Sequence, residues 1–122
     1  MIPKQTGIRR IIKASVYSYN GLLHAATKEA AFRQEAIVAA VMLPFACLLP
    51  ILAVEKVALV GAVVLVLIVE LLNTAIEATV DRIGPEFHEL AGLAKDLGSA
   101  AVLIALIFCI FTWAIILLPK LF

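Results

Sequence analysis

Charge is scarce in this chain, and so are the residues that build compact aqueous scaffolds. Ten Lys and Arg and nine Asp and Glu make up 16% of the 122 residues, against about 25% in an ordinary soluble domain. Their near balance, a net charge of +1, leaves no basic footprint for nucleic acid. Two cysteines without dense Cys/His spacing exclude a disulfide scaffold and a zinc module. A GxxxxGK(S/T) phosphate loop, a Gly-rich kinase loop, HExxH and GxSxG are all missing, which excludes the folds those motifs mark. What is abundant is apolar side chain, at 64% of residues, where soluble domains hold roughly 45–50%. A domain of ~120 residues buries only about two-thirds of its unfolded surface, too little to hide this much from water. A soluble monomer and a disordered chain are thereby excluded, and a small integral membrane protein remains.

Three stretches can cross a bilayer, which takes ~20 apolar residues at a rise of ~1.5 Å each. Residues 36–54 and 97–119 carry no charge, and 57–83 is apolar up to Val69. Pro44 and Pro50 predict a bend in the first span. Residues 4–34 differ. Ile8, Ile11, Ile12, Val16, Tyr19, Leu22, Leu23 and Ala26 recur at helical spacing, Arg9, Arg10 and Lys13 take other faces, and no acid precedes Glu29. This pattern predicts an amphipathic helix on an anionic membrane surface, with a break at Asn20-Gly21. The apolar run starting at Ala36 is too late and too long for the core of a secretory signal. The expected architecture is therefore an all-α integral membrane domain over 1–122, one surface helix followed by three transmembrane helices. Eight of the ten Lys and Arg fall before Ala36, at the end of the second span (Arg82) or in the loop after it (Lys95), which places the N-terminus and the second loop, 84–95, in the cytoplasm. Cys47 and Cys109 fall inside apolar spans and read as core side chains rather than a disulfide pair.

Against this background a few polar residues stand out. Glu70 lies thirteen residues past Val57, ~20 Å along a helix, within the cytoplasmic half of the bilayer. Inserting an acid near a helix centre costs about 2.5–3.5 kcal/mol, and intramembrane acids are functional by default. Glu70, Asn73, Glu77 and Asp81 follow at intervals of three, four and four, so all four share one helix face. Such a stripe can glue helices together, or two carboxylates and an amide can hold a divalent cation and a substrate hydroxyl. Glu29, Arg33 and Glu35 stand where the surface helix meets the first span, as a solvated ladder or as a further part of that site. Lys95 and Asp96 precede the third span, and Gly98, Ser99, Ala100 and Ala101 allow a close helix approach there.

Four strings, Glu29–Glu35 (EAAFRQE), Glu70–Arg82 (ELLNTAIEATVDR), Glu86–Leu90 (EFHEL) and Lys95–Val102 (KDLGSAAV), resemble the prokaryotic integral membrane diacylglycerol kinase family. The resemblance runs from about Gly7 to Pro119 and is weakest in the first span. It implies a homotrimeric bundle in the bacterial inner membrane, with active sites between subunits, that phosphorylates diacylglycerol to phosphatidic acid with ATP and Mg²⁺. It further implies Glu70 as general base, Glu29 and Glu77 as cation ligands, and Asn73 in support. Arg10, Tyr17, Glu29, Glu77, Glu86, Phe87, His88, Lys95 and Asp96 would contact ATP. Arg10, Ser15, Arg33, Glu35, Glu70, Ser99 and Trp113 would flank the lipid. Undecaprenol kinases share the acidic core and are the nearest alternative. A proton-coupled small transporter would also use Glu70, but it leaves Glu29, Glu77 and the Lys95-Asp96 pair without a task. In a purely structural membrane subunit, Glu70→Leu would be harmless.

Overall fold

The computed structural model describes residues 6–84 and 88–122. Its regular structure consists of four helices, α1 (Gly7–Lys28), α2 (Ala30–Leu48), α3 (Ala53–Ile83) and α4 (Glu89–Leu121). The last three are long and apolar enough to cross a membrane. At 31 and 33 residues, α3 and α4 extend for ~46 and ~50 Å, well beyond a hydrocarbon layer of ~30 Å. Counted from Val57, the first residue past the charged Glu55 and Lys56, a layer of that thickness corresponds to about twenty residues of α3. On that count Glu70 falls within the layer, Glu77 at its edge and Asp81 beyond it.

Helix α3 is the centre of the chain, packing against both α2 and α4, while α1 packs on α2. The buried positions repeat by sevens: Phe32, Ala39 and Ala46 on α2, and Gly98 and Ala105 on α4. The buried apolar positions of α3 are Leu59, Ala62, Val63 and Val66, and Gly98 meets α3 further along, at Asn73 and Ile76. A seven-residue period is the seam of shallow helix crossings. The partners of α3 are mostly Ala and Gly because lipid tails are as apolar as Leu. Association then depends on how closely backbones approach, not on escape from water. Accordingly, large apolar residues point outward, with Val41 69% and Ile104 67% exposed. At the end far from the acids, the Trp113 indole N–H donates to the Leu59 carbonyl at 3.1 Å and its ring stacks on Phe45. The same end holds Lys120 against Glu55 at 3.2 Å.

Several boundaries differ from the sequence reading. Helix α1 runs unbroken through Asn20-Gly21, since one interior glycine costs a helix only about 1 kcal/mol. The chain turns instead at Glu29, with φ −107° and ψ 107°, so residues 30–34 belong to α2 and not to the N-terminal helix. The turn is tied by an Arg33 guanidinium N–H that donates to the Thr27 carbonyl at 3.2 Å. Pro44 lies within α2, which continues to Leu48, and the chain bends over residues 49–51. Lys56 belongs to the first turns of α3, where its ammonium donates to the Cys47 carbonyl at 2.8 Å. Gly84 ends α3 at φ 150°, a conformation open to glycine and strained for other residues. The second loop is shorter than 84–95. α4 starts at Glu89, with the His88 ring Nδ1 accepting the Leu90 N–H at 3.1 Å as its cap. Both cysteines are free, and Cys47 is exposed rather than a core side chain.

Candidate active site

The polar stripe of α3 forms as its spacing requires, and its depth decides its character. Glu70 and Asn73 are 7% and 8% exposed, the only polar or charged side chains buried among the described residues. Glu77 is half-buried, and Asp81 is open to solvent. The Asn73 amide Nδ2 donates to Glu77 Oε1 at 3.1 Å, which fixes that carboxylate and leaves its second oxygen free for another partner. Asn73 Oδ1 is buried with no hydrogen-bond partner. It lies against Gly98 of α4, where any Cβ would overlap it and come within 3.3 Å of Asn73 Cγ. Gly98 is thus part of the site's wall.

Helix α2 brings a third acid to the stripe. The Glu35 carboxyl faces Glu70 within hydrogen-bonding reach, and its Oε2 is buried without a partner. Glu29, in the turn between α1 and α2, is close enough for its charge to act on Glu70, as is Glu77. The His24 Nε2 touches Glu29 Oε1 at 3.4 Å. On the outer side, the Lys95 ammonium pairs with Asp81 at 2.7 Å, next to the charge of Glu77. Below the acids, a cavity of about 250 Å³ runs between α2, α3 and α4 from Gln34 and Glu35 to Met42 and Cys109, with Val63 and Val66 along its wall.

Not every candidate converges on this point. Arg10, Ser15 and Tyr17 lie on α1 and are exposed, and the Ser15 hydroxyl donates to its own helix at the Ile11 carbonyl, 2.9 Å away. Arg33 turns to Thr27. Asp96 and Ser99 are exposed on the first turns of α4. Trp113 stands beside Leu59, which lies eleven residues before Glu70, or ~16 Å along α3. Glu86 and Phe87 lie outside the described residues. Among the described residues, no three His, Cys, Asp or Glu side chains form a metal-holding group. The facing of Glu35 and Glu70 and the tight seat of Gly98 on Asn73 went beyond the sequence reading. The apolar run that begins at Ala36, directly after Glu35, was the available signal for the first, and the small-residue run after Asp96 for the second.

A buried acid–amide stripe at the polar end of a three-span helical bundle defines a multi-pass membrane protein with an interior polar site. The family model described as prokaryotic diacylglycerol kinase matches residues 16–117. The chain is 55% identical over 117 residues to a diacylglycerol kinase of Escherichia coli (strain K12), covering 96% of each chain. It is 50% identical over 114 residues to one from Pseudomonas aeruginosa, covering 93% of each. A third, from Haemophilus influenzae, is 44% identical over 114 residues, 93% of this chain and 97% of that one. The chain belongs to the prokaryotic diacylglycerol kinase family.

Proposed function

We propose that this protein phosphorylates diacylglycerol to phosphatidic acid at the expense of ATP, in the bacterial inner membrane. The observation that carries the reading is the depth of Glu70 relative to Glu77. Diacylglycerol is held by its tails with a single hydroxyl at the polar boundary, and ATP arrives from water. A base inside that boundary and a carboxylate about 10 Å further along the same helix suit these two reactants.

Glu70 accepts the proton of the lipid hydroxyl. That oxygen attacks the γ-phosphorus, the bond from the γ-phosphorus to the β,γ-bridging oxygen breaks, and ADP leaves with the bond electrons. Phosphoryl transfer of this kind rests mainly on positioning and charge neutralisation, and a positioned base adds about 10²–10⁴-fold. Glu77, held by Asn73, and Glu29 are the groups to hold Mg²⁺. Two carboxylates are enough where ATP phosphates complete the coordination, the usual arrangement for this ion, so the lack of a three-ligand cluster among the described residues is compatible with it. An Mg²⁺ ion held by these carboxylates would supply charge neutralisation for the transferred phosphate. Lys95 supplies a second positive charge on the outer side, with Asp96, His88, Glu86, Phe87, Arg10 and Tyr17 around the nucleotide. Glu35, Arg33, Ser15, Ser99 and Trp113 flank the lipid.

The working unit is a homotrimer whose active sites lie between subunits. Its support is that Glu29 and Glu77 alone make an incomplete enclosure, and that the outward faces of α3 and α4 carry more than lipid contact requires, including the small residues Ala100 and Ala101. α1 lies on the membrane surface, supported by its exposed Ile8, Ile11 and Ile12 alternating with Arg9, Arg10 and Lys13. The N-terminus and the α3–α4 connection face the cytoplasm, where ATP is. The test is incubation of the purified protein with Mg-ATP and short-chain diacylglycerol beside undecaprenol. Phosphatidic acid as the main product supports the proposal. Preferential phosphorylation of undecaprenol, or no lipid product, would refute it.

A further inference from the structure

We infer that Asp81 is a positioning residue that holds the Lys95 ammonium over the phosphate end of the site. The inference rests on the kinase reading above and goes beyond it, because nothing in that reading gives Asp81 a task. The pair joins two helices: Asp81 Oδ1 on α3 and Lys95 Nζ on α4 are 2.7 Å apart, a tight charge-assisted contact. Asp81 is one turn beyond Glu77 on the same face, ~6 Å along the axis. The Lys95 ammonium is thereby stationed beyond the last carboxylate of the cation site, within the field of Glu77.

A positioning role follows from what lysine lacks. Its charge ends a flexible four-carbon stem with high rotamer entropy. The side chains are 46% and 65% exposed, so packing alone does not fix where the Lys95 ammonium sits. An exposed pair of this kind does little for stability. What it does is restrict where one positive charge sits before nucleotide arrives. When phosphate oxygens enter, they can share the ammonium's three donors with Asp81, so Lys95 binds phosphate without leaving its tether.

Three substitutions test this. Asp81→Asn removes the charge and keeps the size, Asp81→Glu keeps the charge, and Lys95→Met removes the cation. Turnover is measured against both ATP and diacylglycerol, together with the affinity for a non-hydrolysable Mg-ATP analogue and the thermal unfolding midpoint. Asp81→Asn should lower kcat/KM for ATP by about tenfold, the scale of a small misplacement of a catalytic group. It should leave KM for diacylglycerol and the unfolding midpoint unchanged, and Asp81→Glu should restore most of the loss. In the Lys95→Met background, Asp81→Asn should cost no further analogue affinity, because no charge remains to be positioned. An equal loss in both backgrounds would overturn the inference. So would parallel losses in both KM values and in stability that Asp81→Glu does not restore. An active wild type with an equally active Asp81→Asn variant would overturn this inference alone. A wild type that phosphorylates no lipid would overturn the kinase reading and this inference with it.

Discussion

Replacing Gly98 with alanine should damage the site from behind without touching a charged group. The added Cβ would overlap Asn73 Oδ1 and reach 3.3 Å from Asn73 Cγ and 3.8 Å from Ile76 Cδ1. Asn73 is 8% exposed and sits on α3 between two packed helices, so its side chain has little space to retreat. Overpacking of this kind costs about 1–3 kcal/mol. Turning the amide away also gives up its hydrogen bond to Glu77 Oε1 at 3.1 Å, and hydrogen bonds to charged groups are worth about 1.5–3 kcal/mol. Alanine recovers up to about 1 kcal/mol through its better helix propensity. The net loss is about 2–5 kcal/mol, with turnover falling as Glu77 loses its fixed orientation. Gly92 on the same helix is the control, since nothing lies within 4 Å of a Cβ built there, and Gly92→Ala should be neutral or slightly stabilising. The assay is reversible unfolding in mixed micelles, followed by circular dichroism, with lipid phosphorylation measured on the same samples. If Gly98→Ala matches Gly92→Ala in both stability and turnover, the seat of Asn73 on α4 is not as described.

Asn73→Leu should separate stability from activity. It removes a buried oxygen without a partner, whose desolvation costs about 1–3 kcal/mol, and also gives up the bond to Glu77, worth about 1.5–3 kcal/mol; the two offset, so micelle unfolding should shift by less than in Gly98→Ala while phosphatidic acid formation falls at least tenfold. Trp113→Phe keeps the stack on Phe45 and loses the donor to the Leu59 carbonyl; the unfolding free energy should drop by about 0.5–1.5 kcal/mol. Removing divalent cations with a chelator should stop phosphorylation, and adding back Mg²⁺ should restore it, whereas a proton-coupled transporter would show flux in proteoliposomes without ATP.

The elements that hydropathy governs were legible before the structure, and those that packing governs were not. Uncharged runs mark where a chain must be helical in lipid, because unpaired backbone groups are costly there, and α2, α3 and α4 cover those runs except residues 49–52, where the chain turns between α2 and α3. The intervals from Glu70 to Asp81 placed one helix face correctly because periodicity is a local property. The turn at Glu29 left no local trace, since glutamate is a good helix former and the tie from Arg33 to the Thr27 carbonyl depends on where α2 points. The stretch from Glu89 to Lys95 read as loop because charged residues bound a short apolar run, yet such charges report only that a segment lies outside hydrocarbon; it is the first part of α4. Glu35 and Glu70 are thirty-five residues apart on different helices. Their meeting depends on which faces of α2 and α3 pack, which the small residues Ala39, Ala46 and Ala62 decide in three dimensions.

The central claim is that Glu70 takes the proton of the lipid hydroxyl, and its most direct test is the turnover of Glu70→Gln, which keeps the size and polarity of the side chain but not its basicity. With Mg-ATP and short-chain diacylglycerol at saturation, kcat should fall by about 10²–10⁴-fold, while affinity for a Mg-ATP analogue stays at the wild-type level. Undiminished phosphatidic acid formation by this variant would contradict the account.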